Sequence, residues 1–84
     1  MLTVRFFSLL REALDVETMT LDWDNRYDCV EELKQSLIDS GGVQWEEQLT
    51  HPNLIHAVNQ VVVEPTHLLQ DGDEIAFFPP MTGG

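Results

Sequence analysis

Residues 74–84 read Glu74-Ile75-Ala76-Phe77-Phe78-Pro79-Pro80-Met81-Thr82-Gly83-Gly84, and this stretch organises the whole chain. Glu74 to Phe78 has the apolar, aromatic make-up of a final strand. Pro79 and Pro80 have no amide hydrogen to give a ladder, so the strand stops at Phe78 and the chain leaves the domain. Immediately upstream, Asp71-Gly72-Asp73 is a strong turn signal. Before it, Leu54 to Val58 and Val61-Val62-Val63 read as two strands joined by a tight turn at Asn59-Gln60, with Pro65 closing the second.

The first half supplies the remaining elements. Leu2 to Ser8 alternates weakly as a half-buried strand, placing Leu2, Val4 and Phe6 on one side and Thr3, Arg5 and an outward Phe7 on the other. Leu9 to Leu14 is a short helix-prone piece ended by a turn at Asp15, and Glu17 to Trp23 alternates as a second strand. The main helix is expected to open at Asp28, with Glu31 completing a capping box. Cys29, Val30, Leu33, Leu37 and Ile38 then fall on one face, and Gly41-Gly42 stops the helix. Val43 to Leu49 adds a short helical piece with Trp45 and Leu49 inward.

The order of major elements is therefore strand, strand, helix, strand, strand, strand. It predicts an α+β domain over residues 1–78, a mixed sheet with one main helix packed across it, and a flexible tail over 79–84. Eighty-four residues leave no room for a second core.

Composition narrows the function. Fifteen carboxylates oppose Arg5, Arg11, Arg26 and Lys34, giving a formal net charge of −11, and no Lys or Arg follows residue 34. Nucleic acid and anionic lipid need clustered cations, so no nucleic-acid or membrane-surface role is expected. The acidity serves solubility or matches a basic partner. A single cysteine and no apolar run near the roughly 20 residues of a membrane span suit a reducing cytoplasm.

The side chains offer little chemistry. Cys29 has no cationic neighbour in sequence, and Asp28 and Glu31 oppose a thiolate, so a structural role is the better reading. His51, His56 and His67 lack metal-ligand spacing, and His56, placed mid-strand, reads as solvent-facing or locally hydrogen-bonded. Asp71 and Asp73 belong to turn chemistry, and no serine has a nucleophile-elbow context. No metal site and no bound cofactor are expected.

The C-terminus is different. Pro79 and Pro80 stiffen a lead, Met81 and Thr82 follow, and Gly83 and Gly84 carry no Cβ, so the backbone can thread a narrow channel. Five or six extended residues reach at most about 20 Å, enough to enter another protein's active site. The Gly84 carboxylate, activated by adenylation, would accept sulfur as a thiocarboxylate. A frayed, inert terminus is the competing reading.

Val58-Asn59-Gln60, Asp71-Gly72-Asp73-Glu74 and above all Ala76-Phe77-Phe78-Pro79-Pro80-Met81-Thr82-Gly83-Gly84 resemble the small, sulfur-carrier subunit of molybdopterin synthase. Val4-Arg5-Phe6-Phe7 and Leu10-Arg11-Glu12 fit as well, and the match is weakest over 39–53. The resemblance implies a ubiquitin-like β-grasp fold. It implies a ubiquitin-activator-like partner that spends ATP to form an acyl-adenylate at Gly84, and conversion of that group to a thiocarboxylate. It further implies a heterotetramer with the large synthase subunit, where the sulfur attacks cyclic pyranopterin monophosphate. By family motif, Phe7, Arg11, Val62 and Phe78 meet the large subunit, while Pro79, Pro80, Met81, Thr82 and Gly83 deliver the terminus. Met81 stands where a smaller aliphatic residue is expected.

Three rival readings remain at this stage. A carrier serving thiazole or another sulfur-containing product shares the Gly-Gly ending but is not expected to carry Phe77-Phe78-Pro79-Pro80 before it. A ubiquitin-like modifier would have one lysine, Lys34, for chain building. A plain adaptor would not need its tail.

Overall fold

A computed structural model describes residues 1–23 and 27–79. The chain runs β1 (Leu2–Phe6), α1 (Ser8–Leu14), β2 (Thr18–Leu21), α2 (Val30–Gly41), α3 (Val43–Leu49), β3 (Ile55–Val58), β4 (Val61–Val62) and β5 (Glu74–Phe78). The strands form one mixed sheet in the order β2-β1-β5-β3-β4. The first and last strands lie side by side and parallel at its centre, from Thr3 beside Glu74 to Phe6 beside Phe77. The flanking pairs β1–β2, β3–β5 and β3–β4 are antiparallel. This is the β-grasp arrangement.

Strand parity sets the two faces. Leu2, Val4 and Phe6 of β1 and Ile75 and Phe77 of β5 are buried towards the helices, together with Val30, Leu33, Leu37 and Ile38 of α2. Leu10 and Leu14 of α1 join this core, and so does Leu49 of α3, which was expected inward. Phe6 stacks on Phe77 at 5.8 Å and meets Trp45 edge-on at 5.4 Å. Trp45 itself is only partly buried. It leans on Gly41, where a Cβ would overlap its ring, so the glycine that ends α2 also admits the tryptophan.

The structure corrects several boundaries. The second strand spans Thr18–Leu21 rather than reaching Trp23, and the first ends at Phe6. The main helix opens at Val30, not with an Asp28 capping box. Cys29 is its extended N-cap residue and no side chain caps it. The free amides of the first turn go instead to main-chain oxygens of a distant loop, Val30 to His67 at 3.1 Å and Glu31 to Pro65 at 2.8 Å. Cys29 pairs in an isolated bridge with Leu68, which draws it off the helical face where the spacing placed it.

A second clamp ties the hairpin to the final strand. Asn59 and Gln60 both have positive φ, 51° and 71°, as a two-residue hairpin turn with the strand twist requires. The Asn59 side chain donates to Asp73 Oδ1 at 2.9 Å and accepts from the Glu74 amide at 3.0 Å. Asp73 also accepts from the Gln70 amide at 2.8 Å. Asn59 and Asp73, both inside the motifs quoted above, thus position β5.

Candidate functional site

Among the described residues, no helix lies over the second face of the sheet. Registers and parity place Thr3, Arg5, Ile55, Ala57, Val62, Glu74, Ala76 and Phe78 there, and Phe7, the residue after β1, continues the row. Phe7 and Phe78 stack at 4.6 Å with ring planes 9° apart. The Arg5 guanidinium lies 5.2 Å from the Phe7 ring centre. Ala57 and Ala76 are buried beneath their larger neighbours.

Arg5, Phe7, Val62, Ala76 and Phe78 line a concavity of about 230 Å³. That is smaller than a typical small-molecule site, and it suits one or two side chains of a docking protein. Val62 is 72% exposed, a large value for a branched aliphatic residue in a strand. Exposed apolar groups gathered on one face mark an interface.

Phe7, Val62 and Phe78, expected as partner-binding residues, are thus brought together, whereas Arg11 is not. Arg11 lies on α1, about half exposed, at 4.0 Å from Glu17. Pro79 continues directly from Phe78 and is partly buried. Pro80, Met81, Thr82, Gly83 and Gly84 lie outside the described residues.

Arg5, Ala57, Ala76 and Glu74 belong to the same face and were not singled out from the sequence. Arg5 lies two residues before the outward Phe7, and that parity was a signal that could have found it. The small alanines could not have been found, because their part is to leave room for neighbours from other strands.

The buried polar groups lie elsewhere. Lys34 on α2 and His56 on β3 are 8% and 7% exposed, with Nζ and Nε2 3.2 Å apart. An ammonium has only donors, so Nε2 accepts and His56 is neutral. Glu31 completes the group at 3.2 Å from Lys34. Burial lowers the His56 pKa below its ordinary value, the Lys34 charge lowers it further and Glu31 opposes both. His56 is therefore locally hydrogen-bonded inside the core, edge-on to Phe77 at 5.7 Å. Among the described residues no group of three or more His, Cys, Asp or Glu could hold a metal ion. No described helix is long and apolar enough to cross a membrane.

Fold and face together define a small β-grasp domain with one open apolar sheet face, and its last strand leads from that face into the tail. The chain belongs to the ThiS family, whose model matches residues 4–84. It is 39% identical to the molybdopterin synthase sulfur carrier subunit of Escherichia coli (strain K12), with all of both chains covered. It is 37% identical to the subunit of the same name from Haemophilus influenzae, again with both chains fully covered. Among solved structures, it shares its fold with a chain in the complex of subunits 1 and 2 of molybdopterin-converting factor from Helicobacter pylori. The TM-score there is 0.66 at 24% identity, over 99% of this chain and 97% of that one.

Proposed function

We propose that this chain is the sulfur carrier subunit of a molybdopterin synthase, with the Gly84 carboxylate as its working group. The observation that carries this reading is that the open apolar face and the start of the tail share one residue. Phe78 stacks on Phe7 within the face and is followed at once by Pro79. A protein that docks on the face therefore receives the tail beside its own docking site. Full-length likeness to sulfur carrier subunits of molybdopterin synthase supports sulfur as the cargo.

In this reading the tail reacts only inside its partners. A ubiquitin-activator-like enzyme lets the Gly84 carboxylate attack the α-phosphorus of ATP, releasing pyrophosphate and leaving an acyl-adenylate. A sulfur donor displaces AMP and leaves the thiocarboxylate. The large synthase subunit then takes the tail, and the sulfur attacks cyclic pyranopterin monophosphate on the way to the dithiolene. The H. pylori complex of subunits 1 and 2 supports a large-subunit partner, and a heterotetramer fits a carrier that docks by one face. The chain itself holds no cofactor and works in the cytoplasm, where its single cysteine stays reduced. Of the modifier reading, chain building is disfavoured by Lys34, the sole lysine, which is buried and engaged by His56 and Glu31, whereas single attachment to a target's lysine does not involve it.

The test is intact mass after co-expression with the activating enzyme and a sulfur source. The expected result is a gain equal to sulfur replacing one oxygen, absent from the chain lacking Gly84. No gain in the wild-type chain overturns the proposal.

A further inference from the structure

The concavity on the open face is lined by apolar groups, one amide, Gln60, and one pair of charges, while Thr3, Thr18 and Thr20 lie to its side. Among its described residues only Arg5 and Glu74 are charged, and they are diagonal neighbours across the central parallel pair, where Glu74 lies beside Thr3 and Arg5 beside Ala76. Their closest approach, Nη1 to Oε2, is 4.0 Å, the outer limit of an ion pair, and both side chains are more than a third exposed. A pair this loose and this wet adds little to the stability of the fold. Neither this pair nor the weak attraction of a half-exposed guanidinium 5.2 Å from the Phe7 ring gives folding a strong need for a cation among Phe7, Val62, Ala76 and Phe78.

Docking changes the energetics of this group. A protein that covers the face strips water from Arg5, and a buried cation without acceptors is costly. The guanidinium carries five donors in a planar fork, and Glu74 at 4.0 Å engages at most one of them. The free edge fits a carboxylate, which the fork holds through two parallel bonds. Elsewhere on a chain of net charge −11, an acidic side chain of a partner meets repulsion. Among the described residues, the other exposed cationic side chain is Arg11, on α1, outside the concavity, and Lys34 is buried. Arg5 is thus the point on this face where a partner's carboxylate lowers the energy of docking.

Resting on the docking reading above, we propose that Arg5 is a specificity-determining residue. It takes a carboxylate of the large subunit and so fixes the register of docking. Register matters because Arg5, Phe7 and Phe78 are one contiguous group. A shift of the docked face carries the root of the tail with it, and a misplacement of about 1 Å costs reactivity at the far end.

The experiment measures affinity for the large subunit, at low and high salt, for the wild-type chain and for Arg5→Lys, Arg5→Leu and Arg5→Glu. Thermal unfolding of each free variant checks the fold. The expected order of affinity is wild type, Lys, Leu, Glu. Arg5→Leu should lose about tenfold or more with a flatter salt dependence, and Arg5→Glu should lose a further tenfold or so. A lysine or arginine at the matching acidic position of the large subunit should restore binding to Arg5→Glu. Unchanged or tighter binding by Arg5→Leu overturns the proposal. Equal losses for Leu and Glu with an unaltered salt dependence also overturn it, since they mark a neutral acceptor. If the wild-type chain does not bind the large subunit and Phe78→Asp changes nothing, the docking reading itself fails.

Discussion

His56 is a single residue with a measurable consequence. It is neutral in the folded domain because burial and the Lys34 ammonium both oppose its protonation, against the weaker pull of Glu31. In the unfolded chain it takes a proton near its ordinary pKa of 6.5. As pH falls below that value the unfolded state binds more protons than the folded one, so stability falls until the lowered folded pKa is passed. His56→Gln keeps an acceptor for Lys34 but takes up no proton. Its loss of thermal stability between pH 7.5 and pH 5 should therefore be smaller than that of the wild type. Melting curves across that range check this, and equal slopes would remove His56 as the cause.

At the scale of elements, two loops carry loads that their sequences did not advertise. The first turn of α2 is satisfied by the carbonyls of Pro65 and His67, and Asp28 makes no side-chain cap. Asp28→Ala should accordingly cost less than about 0.5 kcal/mol, against about 1 kcal/mol for a working cap. The urea midpoint decides between them. Asn59 is the opposite case, since it holds the β3–β4 turn at positive φ and ties it to Asp73 and Glu74. Asn59→Ala should cost about 1–2 kcal/mol. Asn59→Gly keeps the turn's backbone freedom but loses the same bonds, and should recover only part of the loss.

For the whole molecule, the question is how docking strength divides over the open face. Phe78 is stacked on Phe7 inside the concavity, while Arg11 lies outside it beside Glu17. Phe78→Asp places a charge in the apolar centre and should weaken the complex with the large subunit about a hundredfold or more. Arg11→Ala should cost less than about tenfold, as a rim charge does. Titration calorimetry with both variants checks the order, and a larger loss for Arg11→Ala would move the centre of docking towards α1.

Elements with a strong local signal were legible from the residues alone. Period-2 alternation gave β1, the apolar, aromatic run after the Asp71-Gly72-Asp73 turn gave β5, helical spacing gave the core face of α2, and Pro79-Pro80 gave the point where the last strand stops. Asn59-Gln60 read as a tight turn because two strand-like runs flank only two residues. The outward aromatic of the candidate site was visible too, since Phe7 breaks the polar side of its own strand. The helix start at Val30 was misread because its amides find oxygens more than thirty residues away, and no window along the chain holds both.

What the sequence determined by itself is what depends on neighbours along the chain: strand and helix periods, turn residues, net charge, and the prolines that end the last strand at Phe78. Only the tertiary structure decided what depends on residues far apart. The parallel pairing of β1 with β5 sets Phe7 against Phe78 and Arg5 opposite Ala76, more than seventy residues apart in sequence. In the assembled fold one sheet face has no described helix over it, and Lys34 of α2 meets His56 of β3. These outcomes follow from register and from which face buries the larger apolar area, and both are properties of the assembled sheet rather than of any segment.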